Sequence, residues 1–255
     1  MYITVSQSES ALGVAAAKKI ISLLNKAIEE RGEANCVLST GASQFSTFDA
    51  LLSMTMDWSK VNIFHLDEYI ELPMDHPASF EKYLKERFLE KVSPKLVIFV
   101  NGRGDISANI RALEIEISKH PADVGVIGLG ENAHIAFNDP PANFETDDAY
   151  HIVTLSDTCK KQQVGEGWFA SVDDVPSQAI SMTPRQIMRC RHIVAPVPGM
   201  RKAQAICSTL SSTGANPMVP ASLLMTHPDF HLFLDQDSAS LCSAESLQIA
   251  TARKA

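Results

Sequence analysis

The chain has 255 residues, enough for one large domain or two small ones. Hydrophobic residues make up 45% of it and charged residues 20%, which is ordinary for a globular protein with a sizeable core. The net charge of −8 argues against nucleic acid or an anionic membrane as the main partner, whereas an anionic small molecule stays allowed where local cations gather.

The first predicted elements are a strand over residues 2–5 and a helix that Ser8 can cap. The apolar positions of this helix recur every three or four residues, and Gly32 stands where the helix should end. The same alternation then repeats, with strands predicted at 36–38, 61–66, 96–100 and 124–127 and helices at 45–54, 79–89 and 110–117.

The second half of the chain continues this alternation, apart from a polar segment over 156–177. We interpret that segment either as a helix with a weak pattern or as an active-site loop or lid, because long loops inside compact domains usually have a function. The other predicted elements are strands at 151–155, 179–181, 192–195 and 231–234 and helices at 184–189, 201–210 and 220–224.

Short strands that alternate with helices predict an α/β fold. In this fold a doubly wound, mainly parallel sheet carries helices on both faces, as in Rossmann-like proteins, and several of the predicted strands are the continuous apolar runs that such burial requires. No linker, repeat or low-complexity tract divides the chain, so we expect a single domain.

Cysteine usage and the N-terminal sequence bear on the compartment. The five cysteines are an odd number, are widely spread and form no CxxC pair, which indicates neither a zinc site nor a disulfide framework. The N-terminus lacks the pattern of a signal peptide, and no apolar run reaches the roughly 20 residues that a bilayer requires. We therefore expect a cytoplasmic protein with reduced thiols.

Polar side chains follow four of the predicted strands, at the edge where ligands bind in open α/β sheets. The segment TGAS (40–43) follows the second strand, Asp67 follows the third, the segment 128–139 follows the strand at 124–127, and 196–202 follows the strand at 192–195. This coincidence predicts a binding site at the carboxyl ends of these strands.

The predicted phosphate cradle consists of Thr40, Gly41, Ala42 and Ser43, which precede a helix, together with Lys202. Free N–H groups and the positive end of the helix dipole attract an anion, and we expect this anion to be phosphate. The alternatives are that Ser43 simply caps the helix and that Lys202 is a solvated surface residue.

Asp67 and His134 are the candidate proton-transfer groups. A partly desolvated carboxylate can act as a base, and an imidazole near a carboxylate is a general acid and base near neutral pH. The alternative for Asp67 is a turn or capping residue. The chain has no HExxH, GxSxG or GxGxxG pattern, so we expect no metal, no serine nucleophile and no nicotinamide cofactor.

At these residues the chain resembles the glucosamine-6-phosphate deaminase/isomerase family, which is related to the 6-phosphogluconolactonases. The stretches that carry the resemblance occur in the order and spacing of the family and cover most of residues 36–206. They are LSTGAS (38–43), HLDEYIELPMDHPASF (65–80), GLGENAHIAFNDP (128–140), VPSQAISM (175–182) and PGMRKAQAI (198–206).

The resemblance implies an enzyme that converts glucosamine 6-phosphate to fructose 6-phosphate and ammonia without a cofactor. The cradle at 40–43 and Lys202 would hold the phosphate. His134 would assist opening of the sugar ring, with Asp139 positioning it, and Asp67 would move the proton from C2 to C1. The partner is then a phosphorylated amino sugar, and a homo-oligomer is compatible with the family.

The chain departs from the family pattern at several of these positions. Asn132 stands where an aspartate is common, so it can orient the imidazole but cannot act as an acid; Asp139 stands where a glutamate is usual. Ala133 replaces a customary glycine, and TGAS replaces TGGT. A phosphate-binding arginine of the family has no clear counterpart in 156–177, where Lys160 or Lys161 could substitute.

Three alternative functions stay open from the sequence. A 6-phosphogluconolactonase would hydrolyse an ester and has little use for a base at Asp67. A galactosamine-6-phosphate deaminase would differ only in the side chains that read the C4 hydroxyl. A sugar-phosphate sensor would keep the cradle and Lys202 but would not need both Asp67 and His134, and it would normally carry a DNA-binding segment.

Overall fold

The computed structural model describes residues 1–243 and 247 of the chain. Ten strands lie in this part, and all the strands that the sequence predicts are among them. They are β1 (Tyr2–Ser6), β2 (Ala34–Leu38), β3 (Val61–His65), β4 (Asp67–Tyr69), β5 (Leu96–Ile98), β6 (Val124–Val126), β7 (Tyr150–Thr154), β8 (Gln178–Met182), β9 (His192–Val197) and β10 (Phe230–Asp235).

Seven α-helices lie between these strands in the described part of the chain. Ser8 caps the first helix and Gly32 ends it in the left-handed conformation, as the sequence predicts. The helix predicted at 110–117 starts earlier, because Asp105 caps it. The helices are α1 (Glu9–Arg31), α2 (Phe45–Ser53), α3 (Phe80–Arg87), α4 (Ile106–Lys119), α5 (Asp157–Gly165), α6 (Pro184–Ile187) and α7 (Ala203–Ser211), and a 3-10 helix takes the predicted place at Pro220–Thr226.

Seven strands form one parallel sheet in the order β1-β10-β9-β6-β2-β3-β5. One hydrophobic core, under α1, α2 and α3, contains Phe48 and Leu84; the core on the other face contains Leu113 of α4 and Ile206 of α7. Helices therefore cover both faces, and the predicted doubly wound α/β fold is confirmed.

The order of strands reverses between β2 and β6. From β2 the chain builds outward through β3 to β5, then returns to place β6 on the other side of β2 and continues through β9 and β10. Such a switch point leaves a crevice at the carboxyl ends of the two neighbouring strands. The segments after β2 and β6 are the two that carry the predicted cradle and His134.

A second sheet, which the sequence did not predict, contains β4, β8 and β7 in antiparallel pairing. Asp67 of β4 pairs with Ser181 of β8, and Tyr69 pairs with Ala179. Only Leu66 separates β3 from β4, so the prediction ended one strand at residue 66 and took Asp67 as the residue that follows it; the partner strand of β4 is distant in the chain. The strands predicted at 151–155 and 179–181 thus belong to this sheet instead of the parallel one.

The polar segment 156–177 contains a helix in its first half. Ser156 caps α5, and a short 3-10 turn follows at Val172–Asp174. Phe169 and Val175 pack with Tyr69 of β4 in a small third core. This packing fixes the segment beside the second sheet.

Among the described residues, no helix combines the length and the apolar character that a membrane span requires.

Candidate active site

A cavity of about 440 Å³ opens at the carboxyl ends of β2, β6 and β9 and beside β4. Its lining includes the predicted cradle at 40–43, Asp67, His134 and Lys202. These residues come from four separate parts of the chain, so the structure brings together what the strand-end rule predicted. In the part of the chain that is described, no three His, Cys, Asp or Glu side chains are arranged to hold a metal ion.

The cradle and the segment before Lys202 share one backbone shape. Gly41 (φ 99°, ψ 165°) precedes a three-residue 3-10 turn and then α2, and Gly199 (φ 88°, ψ 153°) precedes an equal turn and then α7. These positive φ values favour glycine. Two helices of nine residues therefore point their N-terminal ends at one cavity, which favours an anion there.

Ser43 does not cap a helix. Within the described residues no side chain caps the turn at Ala42–Gln44 or the start of α2. The Ser43 hydroxyl instead accepts a hydrogen bond from the Gln44 side-chain amide at 3.2 Å. The buried hydroxyl of Ser39, also in the lining, has no hydrogen-bond partner among residues 1–243. Tyr83 donates a hydrogen bond to the Gly41 carbonyl at 2.9 Å, which holds the cradle in place.

Lys202 is buried, with only 9% of its surface exposed, and is therefore not a solvated surface lysine. Burial lowers its pKa, and the charges of Glu166 and Glu131 act in the opposite direction. Asp235 accepts hydrogen bonds from the Gly199 N–H at 3.1 and 3.0 Å and so fixes the turn that carries the lysine. Lys202 and the cradle line the same cavity, so both can contact one anion there.

Asp67 begins β4 and is 5% exposed. Burial and the neighbouring charge of Glu68 raise its pKa well above the usual range of an aspartate. Glu68 points elsewhere: it accepts hydrogen bonds from the Glu81 N–H at 2.8 Å and the Ser79 hydroxyl at 3.1 Å, at the start of α3. Asp67 is thus a strand residue and not a turn or capping residue, and its carboxylate faces the cavity.

His134 is held in a tight loop by Asn132 and Asp139. Its Nδ1 lies 3.1 Å from Asp139 Oδ1, at ion-pair distance without the alignment of a hydrogen bond. Asn132 donates to the same Asp139 oxygen at 3.0 Å and accepts from the His134 N–H at 3.2 Å. A Cβ at Gly130 would lie 2.3 Å from the imidazole, so only glycine lets the loop pack flat against the ring.

Asp139 is a firmly ionised group. Burial opposes its ionisation, but the contact with His134 and hydrogen bonds from Asn132 and Ser156 outweigh that effect and lower its pKa to about 2. The Ser156 hydroxyl donates to the second carboxylate oxygen at 2.5 Å. Asn132 and Asp139 do not line the cavity; they hold the histidine that does.

Ser181 of β8 connects the two walls of the cavity. Its backbone pairs with Asp67, and its hydroxyl accepts hydrogen bonds from the Phe137 N–H at 3.1 Å and the Asn138 amide at 3.2 Å. Asn138 also donates to the Met182 carbonyl at 2.9 Å. These bonds fix the histidine loop relative to the strand of Asp67, which is the role of Asn138.

Neither Lys160 nor Lys161 lines the cavity; the first is half-buried and the second exposed. Their positions give no support to a phosphate-binding role. The side chains that α5 and its C-terminal end contribute to the lining are instead Gln162, Gln163, Glu166 and Trp168.

Sequence reasoning also missed Arg201 and Glu131, which line the cavity and lie 4.0 Å apart. Arg201 could have been noticed because it adjoins Lys202. Nothing local in the sequence distinguishes Glu131 or Glu166 from surface acids.

Comparisons with known proteins agree with this geometry. Residues 7–232 match the family model described as glucosamine-6-phosphate isomerases/6-phosphogluconolactonase. A glucosamine-6-phosphate deaminase of Listeria innocua is 34% identical over 230 residues, which cover 89% of this chain and 96% of that protein. The deaminase of Thermoanaerobacter pseudethanolicus is 34% identical over 239 residues, covering 91% of this chain and 92% of the relative.

Solved structures give the same likeness. A monomeric glucosamine-6-phosphate deaminase superposes with a TM-score of 0.86 at 27% identity, covering 94% of this chain and all of the other. A 6-phosphogluconolactonase from Thermotoga maritima superposes with a TM-score of 0.75 at 17% identity, covering 92% of this chain and 99% of the other, which is a likeness of fold alone.

Proposed function

This chain belongs to the family of glucosamine-6-phosphate isomerases and 6-phosphogluconolactonases, and we propose that it converts glucosamine 6-phosphate and water to fructose 6-phosphate and ammonia. The observation that carries the proposal is that Asp67 and His134 line one cavity with the cradle at 40–43 and Lys202. The names of the similar proteins support the same activity.

The substrate phosphate would bind between the cradle and Lys202. Two helix N-termini and a buried ammonium group supply positive charge at that position. The buried Ser39 hydroxyl offers a further donor. A phosphate held there fixes one end of the sugar, and C1 and C2 then lie between Asp67 and His134.

His134 would open the pyranose ring. The ring opens when the C1–O5 bond breaks, with the proton of the C1 hydroxyl removed and a proton delivered to O5. An imidazole can carry out both transfers near neutral pH. Asp139 and Asn132 would act as positioning residues, since they touch His134 and not the cavity.

Asp67 would then move hydrogen from C2 to C1 of the open-chain sugar. Its carboxylate takes the C2 proton, which gives an enolamine, and returns a proton to C1, which leaves an iminium group at C2. Water adds to C2 and ammonia leaves, so the product is the ketone fructose 6-phosphate. Burial favours this role, because a carboxylate with a raised pKa is a stronger base.

All steps use protein side chains and the carbonyl group of the substrate, so we propose no metal and no organic cofactor. We place the enzyme in the cytoplasm, where phosphorylated sugars occur and thiols are reduced; all five cysteines are free.

The test is turnover of three substrates by the purified protein, with Asp67→Asn alongside. We expect ammonia and fructose 6-phosphate from glucosamine 6-phosphate, and comparison with galactosamine 6-phosphate assigns the epimer. Hydrolysis of 6-phosphogluconolactone without ammonia release from either amino sugar would contradict the proposal and favour a lactonase.

A further inference from the structure

The charged side chains that line the cavity are mainly acidic. Four of the lining residues are acidic, namely Glu9, Asp67, Glu131 and Glu166, and two are basic, namely Arg201 and Lys202. A cavity built only to hold a phosphate dianion tightly would show the opposite balance. The proposed reaction gives Asp67 a role, but the other three carboxylates have none.

Glu166 is the carboxylate whose position is best defined. Gln162 donates a hydrogen bond to its Oε1 at 2.8 Å, and the Trp168 indole N–H donates to its Oε2 at 3.2 Å. These two donors hold the carboxylate in one orientation at the cavity. Glu166 directly follows α5, and a negative charge at the C-terminal end of a helix opposes the helix dipole. Helix stability therefore does not explain the residue.

The charge of Glu166 acts on Lys202. The lysine is more than nine-tenths buried, and the charges of Glu166 and then Glu131 favour its protonated form. Neither carboxylate forms a hydrogen bond with it, so they act through space and leave the ammonium group available to a ligand. Any phosphate that binds to Lys202 must also lie in the field of these two carboxylates.

We propose that Glu166 determines the selectivity of the site: its charge weakens the binding of phosphate dianions, and so favours ligands that carry an ammonium group together with the phosphate. The substrate of the proposed reaction is such a ligand, whereas fructose 6-phosphate and inorganic phosphate carry no positive charge. The acidic lining would thus limit inhibition by product. This inference rests on the proposed function only in identifying substrate and product.

The test is the binding of phosphate anions to the Glu166→Gln variant. We expect the dissociation constant of inorganic phosphate, measured by calorimetry, and the inhibition constant of fructose 6-phosphate to fall about fivefold, the size of one partly screened charge interaction. KM for glucosamine 6-phosphate should fall less, and kcat should not rise. A purely structural role would loosen α5 and weaken phosphate binding instead.

Asp173→Asn is the matched control, because Asp173 is an exposed carboxylate of the same connecting segment and does not line the cavity. It should leave all these constants unchanged.

If Glu166→Gln does not fold, Glu131→Gln gives the same test, since Glu131 also lines the cavity and acts on Lys202. Unchanged or weaker phosphate binding in a folded variant overturns the inference. Calorimetry needs no turnover, so a protein without deaminase activity would contradict the proposed function and leave this test intact.

Discussion

Asp67, in one wall of the cavity, and Asp139, behind another wall, carry carboxyl groups whose pKa values are shifted in opposite directions. On the wall formed by β4, Asp67 is buried next to Glu68, and its pKa is raised. Behind the wall formed by the loop 128–141, Asp139 receives hydrogen bonds from Asn132 and Ser156 and contacts His134, and its pKa is lowered to about 2.

This difference separates a proton carrier from a permanent charge. A carboxylate that gains and loses a proton in each turnover is a better base when its pKa is raised, and burial raises it. A carboxylate that holds an imidazole in place must stay ionised, which hydrogen-bond donors provide. Residue type alone therefore does not assign the roles of Asp67 and Asp139, whereas their surroundings do.

Substitution of Asp67 should have the largest effect on kcat. Asp67→Asn removes the base and should lower kcat for deamination about 1,000-fold, within the range of general base catalysis. Inorganic phosphate should still bind to the variant in calorimetry, which shows that the cradle is intact. Asp75→Asn, an exposed aspartate outside the cavity, is the control and should keep full activity. An active Asp67→Asn variant would assign the base to another residue.

The same variant tests the raised pKa of Asp67 by its effect on stability. A group whose pKa is raised on folding penalises the folded state increasingly as pH rises from the unfolded value towards the folded one. Asp67→Asn should therefore increase the free energy of unfolding at pH 8, and by less at pH 4, in urea titrations. A decrease at pH 8 would show that the ionised carboxylate stabilises the fold.

The pH profile of wild-type activity should show the titration of Asp67 on its acidic side. Activity should fall as pH drops through the pKa of Asp67, at a higher pH than for an ordinary aspartate. Measurement of kcat/KM from pH 4 to 9 locates this limb. A limb in the ordinary aspartate range would contradict a desolvated base.

His134→Gln should have the next largest effect. Loss of the imidazole should lower kcat about 100-fold because ring opening loses its proton carrier. His120→Gln, at the end of α4 and outside the cavity, serves as the matched control and should leave kcat unchanged. Full activity of the His134 variant in a steady-state assay would show that the wall containing His134 takes no part in catalysis.

Asp139→Asn should act indirectly and more weakly. We expect kcat to fall about tenfold, because His134 loses its ionic contact but stays in the loop. The free energy of unfolding at pH 7 should fall by about 1–2 kcal/mol, since a lowered pKa stabilises the fold above the unfolded value. This loss should shrink as pH falls from 4 towards 2. A stability difference that grows on acidification would refute the assigned state.

Tyr83→Phe should have the smallest effect. It removes one hydrogen bond to the Gly41 carbonyl, worth about 1 kcal/mol, and should raise KM about threefold with kcat unchanged. The measurement is steady-state kinetics with a thermal unfolding curve. A change in kcat alone would show that the cradle affects the chemical step and does not affect substrate binding.

The sequence predicted the parallel sheet and the convergence at its carboxyl edge because both depend on local patterns. Apolar runs mark the strands, and the residues that follow them include Asp67, His134 and Lys202. The rule that strand ends meet then places these side chains together.

The remaining features depend on contacts between distant segments, which leave no local period. Ser181 pairs with Asp67 and binds the histidine loop, and Ser156 reaches Asp139 from the cap of α5. Glu166 and Lys202 line one cavity only because the C-terminal end of α5 lies beside it. For the same reason the sequence could not show that Lys160 and Lys161 lie outside the cavity while neighbouring residues of α5 line it.

The most direct test of the account is a crystal structure of Asp67→Asn with glucosamine 6-phosphate bound. We expect the phosphate to lie between Lys202 and the cradle at 40–43, the ring oxygen next to His134, and C2 within about 3.5 Å of the side chain at position 67. A sugar bound with C2 directed away from position 67, or with its phosphate outside the cradle, would contradict the claim that both walls act on one substrate.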